Sequence, residues 1–172
     1  MPITDVLARN ARMFGADVAL VEVNPELHGA RNVSWREFAL IESLPSACYR
    51  REMTWRQFDD RANRMANLLI ARGLGKGSKV AVLLMNCLEW LPIYFGILKS
   101  GAVVVPLNYR YTSEEIESCL LLAEADALVF GPEFTSRVEA IQDKITDRVL
   151  LQLFVGSPPP VFAESYETTM AY

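Results

Sequence analysis

The spacing of apolar and polar residues changes rhythm along the chain, and each change marks an element. In Val6–Phe14 the apolar residues recur at helical spacing, with Thr4 and Asp5 placed to cap the helix and Gly15 to end it. Ala16–Val23 (ADVALVEV) alternates and is rich in β-branched residues, as a strand requires. Residues 24–46 mix polarities around Pro25, Gly29 and Pro45, which predicts a long loop or insertion with one helical turn near Trp35–Ile41. Cys48–Met53 reads as a second strand pairing with the first. Thr54 and Gln57 then form a capping box for a helix that reaches Arg72. That helix gathers Phe58, Ala62, Met65, Ala66, Leu69 and Ile70 on one face, and Gly73 closes it.

From Lys79 the pattern is regular. KVAVLL is apolar throughout, as expected of a strand covered on both faces. Asn86 is placed to cap the next helix, with Glu89 reaching back, and Pro92 should kink that helix or shift its start. Gly101 ends it and AVVVPL is the next strand. Thr112 or Ser113 caps a helix opening on Glu114 and Glu115, whose charges complement the macrodipole. DALVFGP is a strand, Phe134–Ile145 a helix and Arg148–Gly156 the last strand, before a Ser157–Pro160 break and a short helical or irregular tail (residues 157–172). Buried strands alternating with helices predict an α/β fold: a mostly parallel sheet flanked by helices. The 172 residues suit a single domain. SWREF (Ser34–Phe38) and TWRQF (Thr54–Phe58) nearly repeat, but their flanks do not match, so no repeat architecture follows.

Composition narrows the function classes. The chain is 51% hydrophobic with mean hydropathy +0.15, which excludes general disorder. A net charge of −4 and a pI near 5.1 argue against nucleic acid as a partner. The early arginines (Arg50, Arg51, Arg56, Arg61, Arg64 and Arg72) read as a solvated helix face diluted by neighbouring acids. Cys48, Cys87 and Cys119 are far apart and odd in number, so they read as small buried hydrophobes in a reducing, cytoplasmic setting. The N-terminus has no apolar core of a signal peptide, and Trp90–Leu98 falls short of the ~18–20 apolar residues of a transmembrane segment.

Candidate chemistry is sparse. Gly73–Ser78 contains Lys76, but Gly77 follows it where a phosphate loop needs Ser or Thr, and the segment ends a helix instead of opening one. It reads as a glycine turn. Asn108, Tyr109 and Arg110 follow a parallel strand, where open α/β sheets place ligand sites. They read first as a turn, with Arg110 pairing to Glu114 or Glu115. Asn86, Cys87 and Glu89 sit at another strand end and read as capping. His28 is the only histidine and its neighbours offer no orienting partner. Trp90, Tyr94, Phe95, Tyr109 and Tyr111 read as packing rather than as a base-stacking platform.

From Met53 to about Ile141 the chain resembles the adenylate-forming acyl-CoA synthetase superfamily, also known as the ANL superfamily of AMP-binding enzymes. The resemblance is carried by TWRQFDDRANRMANLLIARGLGKGSKVAVLLMNCLEWLPIYFGILKSGAVVVPLN and YTSEEIESCLLLAEADALVFG. Family phrases recur in order: Thr-Trp-x-x-Phe, Gly-x-x-x-Gly-Ser-x-Val-Ala, Asn-Cys-x-Glu, Gly-Ala-Val-x-Val-Pro-Leu-Asn and Leu-x-x-Ala-x-Ala-x-x-Leu-Val-Phe. Such enzymes use ATP, Mg and coenzyme A to turn a carboxylate into an acyl-adenylate and then a thioester. They include fatty-acyl- and aryl-CoA ligases, and the resemblance implies a role in fatty acid metabolism or the activation of an aromatic acid.

Full-length members are far longer. Their Ser/Thr/Gly-rich loop ending Pro-Lys-Gly, adenine motif, ribose-binding Asp, hinge and C-terminal catalytic Lys have no counterpart here. No residue of this chain is therefore assigned a catalytic, cofactor-binding or metal-ligating role. The resemblance implies the N-terminal part of an AMP-binding domain, inactive and cofactor-free by itself, with the remainder of the parent enzyme as its partner. A sheet so exposed should self-associate, for example as a homodimer. Two alternatives are a non-catalytic α/β binding module of the same ancestry and the start of a loading domain for an acyl carrier protein.

Overall fold

The computed structural model describes residues 2–23 and 50–170, together with the backbone of residues 32–36 and 39–43. In chain order the first half comprises α1 (Ile3–Met13), β1 (Val18–Val23), β2 (Asn32–Arg36), β3 (Ala39–Ser43), β4 (Arg50–Thr54), α2 (Trp55–Ala71) and β5 (Lys79–Leu83). There follow α3 (Trp90–Ser100), β6 (Val103–Pro106), α4 (Ser113–Leu122), β7 (Ala127–Phe130) and a 3-10 turn at Pro132–Phe134. The last elements are α5 (Thr135–Glu139), α6 (Gln142–Ile145), β8 (Leu151–Phe154), β9 (Glu164–Ser165) and α7 (Tyr166–Met170).

The apolar runs form one five-stranded sheet in the order β6-β5-β7-β8-β9. Every pairing in it is parallel, with Leu83 opposite Phe130 and Phe130 opposite Phe154. Both faces are covered, which explains the unbroken hydrophobicity of the central strands. Val80 and Val82 pack with Met65 and Leu69 of α2 and Ile93 and Ile97 of α3. On the other face, Ala81 and Leu83 pack with Ile116 and Leu120 of α4, Val138 of α5 and Ile145 of α6. Each fully buried side chain of this size contributes about 1.5–3 kcal/mol. A third cluster of Leu7, Met53, Phe58, Ala62 and Leu88 fastens α1 and the antiparallel β1–β4 pair to α2.

Local signals agree with several of the expected boundaries. The Thr54–Gln57 box is closed in both directions, at 3.3 and 2.9 Å, and Thr112 and Glu115 close a second box at 3.3 and 2.8 Å. Gly101 ends α3 with φ at +85°, a conformation that glycine adopts without steric cost. Gly96 lets α2 and α3 meet: a Cβ there would lie 2.5 Å from Met65 Cβ and 2.9 Å from the Ala62 carbonyl.

Other boundaries differ. α1 starts at Ile3 behind Pro2, with no side-chain cap, so Thr4 and Asp5 lie inside it. The turn expected at Trp35–Ile41 is replaced by β2 and β3, paired antiparallel. The Val33-Ser34-Trp35-Arg36 alternation follows the period of a strand. α3 begins at Trp90, not after Asn86. Pro92 lacks the N–H that a helix interior needs and is tolerated in the first turn. Phe134–Ile145 divides into the 3-10 turn, α5 and α6, and Leu151–Phe154 is not the last strand. Glu164–Ser165 joins the sheet beside β8, and Tyr166 and Met170 enter the core.

Candidate functional site

The carboxyl ends of β5, β7 and β8 open onto a cleft of about 260 Å³, lined among others by Cys87, Glu89, Gly131, Glu133, Gly156 and Glu167. Arg51 closes one side of it. A neighbouring hollow of about 410 Å³ shares Arg51, Glu89 and Glu167 and adds Arg61, Arg64, Tyr166 and Met170. Ligand sites of open α/β sheets lie at such strand ends.

Glu89 is the hub of this region. As the residue preceding α3 it accepts the Ile93 N–H through its carbonyl at 3.1 Å, while its carboxylate turns back toward β4. Arg51 donates to the two carboxylate oxygens from Nη1 and Nη2, each at 3.3 Å, and Arg61 Nη1 stands 3.7 Å away. Arg51 also grips Glu22 at 2.6 and 3.2 Å, and Glu22 accepts the Leu88 N–H at 2.6 Å. The Glu22–Arg51–Glu89 chain thus ties the β1–β4 pair to the loop leaving β5. Burial by itself would raise the Glu22 pKa, but hydrogen bonds from Arg51 and Leu88 outweigh it and hold it below the ordinary 4.5. The paired carboxylates hold the Arg51 guanidinium firmly charged.

Cys87 is half-buried beside this network. Burial, assisted by the negative charges of Glu89 and Glu22, pushes its thiol up to about 11. It is therefore protonated near neutrality and is a poor nucleophile. Tyr166 is 3% exposed, and its hydroxyl has no hydrogen-bond partner among the described residues. Burial, only partly opposed by Arg61, holds its pKa well above the ordinary phenol value.

The strand-end residues singled out in the sequence fall into two groups. Cys87 and Glu89 line the cleft, and Asn86 lines a separate groove beside β1. Asn108, Tyr109 and Arg110 stand at the end of the edge strand β6 and line neither cavity of the strand-end region. Asn108 Oδ1 accepts the Arg110 N–H at 3.0 Å, and Arg137 Nη1 donates to the carbonyls of Tyr109 and Tyr111 at 2.8 and 3.0 Å. Arg110 stacks over the Tyr109 ring at 5.3 Å instead of pairing with Glu114 or Glu115. Glu115 is occupied by its capping box. His28 and Cys48 lie outside the described residues.

The early arginines are exposed, as expected of a solvated face, and several of them also hold partners distant in sequence. Arg51 and Arg61 turn to Glu89, Arg64 donates to the Met170 carbonyl at 2.7 Å, and Arg72 grips Glu164 at 2.7 and 2.6 Å. Their partners lie as far as 106 residues away, so no local spacing could reveal them.

The Gly73–Ser78 turn holds itself: Gly75 N–H donates to Ser78 Oγ at 3.2 Å, and Gly73 and Gly77 have φ of +75° and +95°. It links a helix end to a strand start, so it does not fit a nucleotide phosphate. Among the described residues no group of three His, Cys, Asp or Glu side chains is gathered as a metal site would require.

The family model of the AMP-binding enzymes matches residues 30–169. The chain belongs to the AMP-binding enzyme family. A crotonobetaine/carnitine–CoA ligase from Shigella flexneri is 39% identical over 88 residues, covering 51% of this chain and 17% of the ligase. The Escherichia coli enzyme of that name is 38% identical over the same length. Among solved structures, an anthranilate CoA ligase in complex with anthranoyl-AMP aligns with 99% of this chain at TM-score 0.77 and 24% identity. The N-terminal domain of FACL13 from Mycobacterium tuberculosis aligns with 98% at TM-score 0.71 and 24% identity. These likenesses show the shared fold. The chain spans 17% of the curated ligase and 29% of the anthranilate ligase, a minor part of each family member.

Proposed function

We propose that this chain is the N-terminal part of an AMP-forming acid–thiol ligase. Its parent joins a fatty or aromatic carboxylate to ATP, giving an acyl-adenylate and pyrophosphate, and passes the acyl group to coenzyme A in the cytoplasm. The observation that carries this reading is the family match over residues 30–169 on a chain that covers only 17% of a related CoA ligase. What the chain contributes is scaffold. Its strands, turns and ion pairs serve the sheet, and the parent's ATP, Mg and coenzyme A are held by residues elsewhere. The polypeptide itself is inactive, and its partner is the remainder of the parent enzyme.

The test is ATP–pyrophosphate exchange with a panel of fatty and aromatic acids. The 172-residue chain gives no exchange above background with any of them. Measurable exchange would falsify the assignment of inactivity. Reading the coding sequence beyond Tyr172 separates the alternatives. A frame continuing into the Ser/Thr/Gly-rich loop supports a ligase, and a genuine stop supports a non-catalytic module. A carrier-protein domain further on would point to a loading function.

A further inference from the structure

The tail that follows β8 reaches both faces of the sheet. Phe162 stacks on Phe130 at 6.0 Å on the face covered by α4, whereas Tyr166 and Met170 enter the cluster on the opposite face, beneath α2. β9 runs between them alongside β8, so the segment from Phe162 to Met170 straddles the sheet edge as a clip. Little holds the clip from within. β9 is two residues long and α7 five, too short for a helix to persist without packing. Its polar ties are the β8 pairing, the grip of Arg72 on Glu164 at 2.7 and 2.6 Å, and the Arg64 bond to the Met170 carbonyl at 2.7 Å. Arg72 and Glu164 are each 43% exposed, where an ion pair adds little stability. The buried Tyr166 hydroxyl has no partner among the described residues, and it gains hydrogen bonds to water once exposed.

The inner strands are held differently. β5 is paired on both sides, by β6 and β7, and β7 by β5 and β8. The cluster beneath α2 and α3 keeps Met65, Leu69, Val80, Val82, Ile93 and Ile97 together without help from the tail. We propose that β9 and α7 form a clip that opens as one unit while β5, β7 and their helices stay folded. Local opening comes first where contacts are sparse, and a two-residue strand with a single helical turn is such a place. Opening bares the edge of β8. It also removes a wall of the strand-end region, because Tyr166, Glu167 and Met170 line the hollow of about 410 Å³ and Glu167 the cleft beside it. The clip is therefore a gate on that region. The inference stands on these contacts and does not depend on the ligase reading.

The test is native-state hydrogen exchange of the 172-residue chain, read by peptide mass spectrometry at urea concentrations below the unfolding transition. Peptides covering residues 162–170 are compared with those covering β5 and β7. The expected result is exchange of the clip at least about tenfold faster than that of the inner strands, with a weaker dependence on urea because less surface is exposed. Arg72→Gln speeds exchange of the clip by up to about fivefold, as loss of an exposed ion pair should, and leaves β5 and β7 unchanged. Met170→Ala speeds it by more than about tenfold, again without moving β5 and β7. Arg72 is exposed, so Arg72→Gln keeps the fold and carries the test even where Met170→Ala does not fold.

Faster exchange confined to the clip in either variant supports the gate. Equal rates and equal urea dependence for the clip and the inner strands overturn it, since they show one cooperative unit. Variants that speed the clip, β5 and β7 alike overturn it for the same reason. Variants that leave the clip unchanged overturn it too, because the contacts that close it would then lie elsewhere.

Discussion

The carboxylate of Glu22 accepts the backbone N–H of Leu88 at 2.6 Å, joining β1 to the loop leaving β5 across 66 residues of sequence. The same carboxylate is gripped by Arg51, whose other contact is Glu89. One side wall of the strand-end cleft is therefore positioned by charge pairing as well as by the apolar cluster beneath it.

Glu22→Gln should destabilise the chain by about 1–3 kcal/mol, because it weakens the Arg51 grip and the acceptor for Leu88 N–H. Urea unfolding at neutral pH measures the loss. The pH dependence has a definite sign. The folded pKa of Glu22 is lowered, so its contribution is fully present above the ordinary value of 4.5 and is lost as pH falls through the lower folded value. The variant should show a shallower loss of stability on the acid side, and an unchanged slope would remove Glu22 from the account.

Cys87 should react slowly with iodoacetamide near neutral pH. Because its thiol is held near 11, labelling should rise about tenfold per pH unit until that value is approached. Peptide mapping by mass spectrometry at several pH values follows this cysteine separately from the others. Rapid labelling of Cys87 at pH 7 would contradict the buried, carboxylate-flanked thiol.

Gly96→Ala should cost about 1–3 kcal/mol through overpacking between α2 and α3. The added methyl meets the Met65 side chain and the Ala62 carbonyl, and the backbone oxygen cannot swing away as a flexible side chain would. Thermal unfolding compares this variant with Gly75→Ala, where the nearest contact is an ordinary 3.4 Å and the midpoint should move less.

Tyr166→Phe should leave the chain as stable as before or up to about 1 kcal/mol more stable, since it removes a buried hydroxyl that has no partner among the described residues. Tyr166→Ala empties part of the core and should cost about 3–5 kcal/mol. A large loss in the Phe variant would show that the hydroxyl has a partner in solution.

The chain by itself should self-associate at tens of micromolar. Leu122 and Leu150 are 88% and 74% exposed, and β6 presents an open edge with Val103 half out of the core. Light scattering should report a mass that grows with concentration. A strict monomer would count against it.

Much of the fold is legible in the sequence because its signals are local. A capping threonine with its partner three residues on, a glycine after a helix and an apolar run between turns act over a few residues. The near-repeated phrases show the limit of such signals. Ser34-Trp35-Arg36 lies in β2, while Thr54 caps α2 and Trp55-Arg56 begins it, so the same letters take opposite structures according to their flanks. The tail hid its role for a similar reason. A two-residue strand carries no periodicity, and Glu164–Ser165 becomes one only because β8 offers an edge beside it.

The sequence alone determined the α/β architecture, the parallel core strands and the family, since helical and strand periods and ordered motifs survive without knowledge of long-range contacts. Tertiary structure decided the rest. It showed that the Glu89 carboxylate serves ion pairing instead of a side-chain cap, that exposed arginines of β4 and α2 hold partners distant in sequence, and that Tyr166 lies buried with no hydrogen-bond partner for its hydroxyl among the described residues. Each of these depends on which distant residues the folded sheet brings within a few ångströms, and charge pairing and burial are properties of that arrangement.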